Sequence, residues 1–140
     1  MVAGPLTLAA DRPPADASAP GQVLAVAAEA LFLANLLLVP GLAFAILFWL
    51  WRRHRDAPAL ARNHLRQTLF VSFWGGLLLA LFSIACIACG GLHWAWTWVV
   101  VIIYFTCVHS ALVVLGLLGL ARAMAGKPFR FPLIGPRLEA

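Results

Sequence analysis

Three apolar stretches, Leu31 to Trp51, Thr68 to Cys89 and Trp96 to Ala121, run almost without charge. They hold 21, 22 and 26 residues. At about 1.5 Å of rise per residue, each makes a helix of roughly 31 to 39 Å, enough to cross a hydrocarbon core of about 30 Å. Hydrophobic residues make up 64% of the 140, only 11% are charged, and the mean hydropathy is +0.95. Lipid accepts that much apolar surface, whereas a soluble core of this size cannot conceal it. The expected fold class is therefore all-α and integral to the membrane, with three transmembrane helices and a short amphipathic segment on the inner surface. Residues 1–22 read as a flexible N-terminal tail, 23–122 as the transmembrane domain and 123–140 as a basic inner-side tail.

Residues 1–21 lack a basic leader and are interrupted by Pro5, Pro13, Pro14 and Pro20, so they read as a retained flexible segment and not a cleaved signal. The net charge of +5 does not point to nucleic acid, because nine of the ten basic residues flank the apolar stretches. Arg52, Arg53, Arg55, Arg62 and Arg66 lie between the first two, and Arg122, Lys127, Arg130 and Arg137 follow the third. The turn Gly90 to Ala95 has no Lys or Arg. The positive-inside rule then predicts a multi-pass protein of a bacterial inner membrane, with the N-terminus outside and the basic loop and C-terminus in the cytoplasm. Trp49 and Trp51 at one predicted end, and Trp94, Trp96 and Trp98 at another, occupy interfacial belt positions.

Within the first stretch a start near Ala30 leaves Glu29 at the outer interface, and Pro40-Gly41 predicts a packing kink or local unwinding near mid-span. Ser72, Gly76 and Ala80 recur every four residues on the second stretch, a face that admits a neighbouring helix, with Gly41 and Ala45 as the matching surface. Thr106 and Ser110 give the third a polar stripe for packing. The six-residue link forces the second and third stretches into an antiparallel hairpin. In the inner loop, DAPALARNHLRQ predicts a short helix on the membrane surface with Arg62 and Arg66 on its basic side.

His109 falls near the middle of the third stretch, where an ionisable side chain must face the bundle, a cavity or another subunit. It is the one candidate cofactor ligand, for haem or a shared quinone. No second histidine shares its depth, so the reading is a neutral packing residue bonded to another helix, with no cofactor and no metal. Cys86 and Cys89 have CxxC spacing, but at the C-terminal end of a helix, where the dipole disfavours a thiolate; with Cys107 they read as buried reduced thiols, and Cys89 pairs with Cys86 only if that helix end unwinds. No glycine-rich phosphate loop, acidic pair, HExxH or Ser/His/Asp set occurs, and the chain reads as a non-enzyme.

Two segments carry a family resemblance: His64-Leu65-Arg66-Gln67-Thr68-Leu69-Phe70, and Ala123-Met124-Ala125-Gly126-Lys127-Pro128-Phe129-Arg130-Phe131-Pro132-Leu133. Together they resemble the Tic20-like family of small bacterial membrane proteins (DUF4870), over roughly residues 31–137, with Phe70 in place of the family's common asparagine. The resemblance implies a compact helical membrane domain whose plastid relatives belong to a protein-import translocon. The leading function is a non-enzymatic accessory, scaffold or assembly component of a larger membrane complex. Its partners would be membrane lipids and other membrane subunits or a second copy, with no nucleic acid. Docking would use an inner face of Arg62, His64, Arg66, Gln67, Lys127, Phe129, Arg130 and Phe131. The alternatives are a small transport or channel subunit with Asn35, Pro40-Gly41 and His109 along its route, and an accessory redox subunit contributing His109.

Overall fold

The computed structural model describes residues 18–133 and 135–137, so the expectation for most of the N-terminal tail lies outside the described residues. The chain is all-α, with α1 (Gln22–Leu37), α2 (Leu42–Arg53), α3 (Ala59–Gly90) and α4 (Ala95–Met124). Two of these, α3 and α4, are long and apolar enough to cross a membrane. Their most apolar windows are only 22% and 11% buried, which separates them from the core helices of a soluble protein. Phe73, Trp74, Leu81, Ile84, Ile102, Ile103, Leu117 and Leu118 all face outward.

The first apolar stretch is not one continuous helix. After α1, the Leu38 and Val39 amides both donate to the Ala34 carbonyl at 3.0 and 2.9 Å, and Pro40 has no amide to continue the ladder. Gly41 follows with φ of 85° and donates its amide to Asn35 Oδ1 at 3.0 Å. The chain reverses there, and α2 runs back along α1: Ala28 meets Leu47 and Leu65, with Leu24, Leu31, Leu50 and Trp51 packed against them. The expected kink is thus a full turn between helices of 16 and 12 residues, each well short of a bilayer crossing at roughly 24 and 18 Å.

α3 and α4 form the expected antiparallel hairpin. Near the tight turn Gly90 abuts Thr97, next come Phe82 on Tyr104 and the Tyr104 hydroxyl donating to the Leu78 carbonyl at 3.1 Å, and below them Gly75 takes Leu112. Trp98 Nε1 donates to the Leu92 carbonyl at 2.9 Å and closes the turn. The α1–α2 hairpin fills only the other half of this pair. α1 runs antiparallel to α4, with Gln22 Nε2 donating to the Met124 carbonyl at 2.6 Å and Phe32 and Leu33 against Gly116.

The two ends of the described chain lie close together. Ala19 approaches Gly126, so the start of the described chain lies beside the end of α4, at the same end of the fold as the C-terminal tail. The predicted surface helix is also not a separate element, since Ala59 to Gln67 form the first turns of a continuous 32-residue α3.

The packing faces differ from the expected ones for one reason: α1 lies against α4's glycines and not along the Ser72, Gly76, Ala80 stripe of α3. Gly116 and Gly119 give α1 its close approach, because a Cβ there would stand 2.8 Å from Leu33 and 2.5 Å from Glu29. Ser72 is buried, but Gly76 and Ala80 are exposed, as are Gly41, Ala45, Thr106 and Ser110. Cys86 is half-buried while Cys89 and Cys107 are exposed, and all three thiols are free on unbroken helices.

Candidate functional site

The densest polar constellation lies at the basic end, where α1, α3, α4 and the tail converge. Gly126, at φ 65°, stops α4; its amide donates to Ala123 and the Lys127 amide to Arg122, a glycine C-terminal closure that Pro128 makes irreversible for the helix. The tail then folds back over α3. Asn63 Nδ2 donates to the Phe129 carbonyl at 3.1 Å, and Gln67 Nε2 donates to the Pro136 carbonyl at 2.6 Å. The Phe131 amide donates to Gln67 Oε1 at 3.4 Å. Phe131 itself packs edge-on against Phe32, ring centres 5.3 Å apart, and Phe129 packs on Phe131.

His64 and Glu29 form the centre. His64 Nδ1 and Glu29 Oε1 are 2.6 Å apart, and neither side chain has any exposure. His64 Nε2 donates to the Lys127 carbonyl at 3.1 Å, which fixes a proton on that nitrogen because a carbonyl can only accept. A single further proton then lies on the Nδ1–Oε1 contact. Whichever atom holds it, the pair carries no net charge, and that is what makes its burial tolerable. The second carboxylate oxygen, Oε2, has no hydrogen-bond partner among the described residues and rests on the bare backbone at Gly119.

Of the residues expected to form an inner docking face, His64, Gln67 and Phe131 are therefore buried fold contacts, a correction that follows from their hydrogen bonds to the tail. Arg66, Lys127 and Arg130 are exposed, while Arg62 and Phe129 are half-buried. Arg52, Arg53, Arg55, Arg122 and Arg137 are exposed at the same end, where Arg52 lies over Phe48 and Arg55 over Trp51. Glu29 is the member of the site that the sequence placed elsewhere, at an outer interface; its signal was a lone acid in an apolar run, which must find a buried partner.

A second feature is a cavity of about 450 Å³ above the tip of the α1–α2 hairpin, lined by Asn35, Pro40, Ser72, Gly76, Phe105 and His109 among others. It unites the three positions proposed for a transport route. His109 does not bond another helix as expected; among the described residues its contact is a stack on Phe105, 5.3 Å between centres. Among the described residues, no three His, Cys, Asp or Glu side chains are grouped as a metal site.

A family model described as the MamF/MmsF magnetosome magnetite crystal formation protein family matches residues 21–138. No curated protein and no solved structure matches the chain. The match overturns the Tic20-like, DUF4870 resemblance. The two segments that carried it meet in the folded chain and do the work of closing it, His64 on Lys127 and Gln67 on Phe131, which is a demand of packing that other small membrane proteins can share.

Proposed function

We infer function from family and geometry together: this chain belongs to the MamF/MmsF magnetosome magnetite crystal formation protein family, and its polar chemistry is concentrated at one end of the fold. Its role is that of a non-enzymatic accessory of the magnetosome membrane, assisting crystal formation by organising other membrane components. α3 and α4 cross the bilayer, and the α1–α2 hairpin enters it from the basic side and returns. By the positive-inside rule that side is cytoplasmic.

One observation carries this reading. The buried Glu29–His64–Lys127 linkage clamps the tail over α3 and so holds Lys127 and Arg130 on the same face as Arg53 and Arg66. The opposite turn, Gly91 to Trp94, carries no Lys, Arg, Asp or Glu. A clamped basic face suits acidic surfaces of neighbouring subunits and anionic headgroups, each nearby Lys or Arg adding about 1 kcal/mol with the latter. Replacing Arg53, Arg66, Lys127 and Arg130 by Gln should leave membrane insertion intact, since Arg52, Arg55 and Arg122 still set orientation. It should reduce salt-sensitive co-purification of membrane partners and alter crystal size in cells. Unchanged capture and unchanged crystals would overturn the role.

A further inference from the structure

We propose that the cavity above the hairpin tip binds the head ring of a neutral, lipid-soluble quinone. The cavity exists because the α1–α2 hairpin stops at Leu37 to Gly41 and leaves the far half of the α3–α4 pair without a third helix. Its volume of about 450 Å³ falls within the size range of small-molecule sites. Among the described residues no Asp, Glu, Lys or Arg lines it, so a charged ligand has no counterpart there.

Three of the four polar side chains that line it, Asn35, Ser72 and His109, have donors lacking acceptors among the described residues, while the fourth, Ser83, donates to the Leu79 carbonyl at 2.8 Å. Ser72 Oγ is buried, without a hydrogen-bond partner among the described residues, and Ser72 is shared by this cavity and an adjoining one of about 300 Å³. Asn35 spends its Oδ1 on the Gly41 amide, which leaves its NH₂ to donate. His109 makes no hydrogen bond among the described residues, and its ring lies within 11° of parallel to Phe105, a flat aromatic wall. A saturated acyl chain would fill the space and leave these donors unmet, at the cost of burying them. A quinone ring offers a planar face for the Phe105–His109 wall and a carbonyl acceptor on each side, one for Ser72 and Asn35 and one for His109. Gly76 and Ala80 are exposed on the lipid side of α3, which gives entry from the bilayer.

The test uses the full chain in phosphatidylcholine nanodiscs loaded with decylubiquinone, with bound quinone quantified against empty discs. Saturable uptake above the empty-disc background is expected. Gly76→Leu should abolish the saturable part, and its folding is protected because a Cβ at Gly76 meets nothing within 4 Å. Ser72→Ala should weaken binding about fivefold and Ser72→Thr should restore it. Uptake no greater than in empty discs would overturn the proposal. So would saturable uptake unchanged in Gly76→Leu, or a co-purified phospholipid that decylubiquinone fails to displace.

Discussion

His64 Nδ1 lies 2.6 Å from Glu29 Oε1, across 35 residues of sequence and with both side chains fully enclosed. Removing one partner strands the other in a low-dielectric interior. His64→Leu should therefore destabilise the fold by about 3 to 5 kcal/mol, read by thermal denaturation in detergent, and the double variant with Glu29→Leu should recover a large part of that loss. An additive double variant would show that the two groups do not act as a pair.

The glycines separate packing from mere presence in a membrane helix. Gly116→Ala puts a Cβ 2.8 Å from Leu33 and 2.9 Å from Phe32, and Gly119→Ala meets both Glu29 oxygens. Each should cost about 1 to 3 kcal/mol. Gly76→Ala meets nothing within 4 Å and should be neutral or stabilising by up to about 1 kcal/mol. Equal melting temperatures for all three would contradict the packing of α1 on α4.

The tail is held by few but specific bonds. Gln67→Leu removes the acceptor for the Phe131 amide and the donor to Pro136, while keeping a side chain of similar bulk. Limited proteolysis should then cut between Lys127 and Arg137 several-fold faster than in the parent, with α3 and α4 intact. Unchanged cleavage would mean that Phe131 on Phe32 holds the tail alone.

What the sequence revealed depended on the range of the signal. α3, α4 and the tight turn were legible because hydropathy and a six-residue link are local quantities. The meeting of the HLRQ segment with the tail was partly legible, since both were placed on one face, although as a docking surface and not a closed interior. The reversal at Pro40-Gly41 was not: residues 31–51 are long enough to span, and what decides against it is Asn35 reaching the Gly41 amide. A continuous span over that run leaves Glu29 no reason to lie beside His64, and its burial depends on a contact that no periodicity announces. Gly116 and Gly119 were equally hidden, because small residues are frequent in membrane helices and only the position of α1 shows which ones are needed.

The central claim is that the first apolar stretch enters and leaves on the basic side, so that Ser18 and Lys127 share one face of the membrane and Leu92 occupies the other. Single-cysteine variants Ser18→Cys, Lys127→Cys and Leu92→Cys, in a background with Cys86, Cys89 and Cys107 replaced by Ala, can be probed with an impermeant thiol reagent in sealed vesicles. Ser18→Cys and Lys127→Cys should label together, with Leu92→Cys in the opposite class. Ser18→Cys labelling with Leu92→Cys and apart from Lys127→Cys would restore a three-span chain and contradict the account.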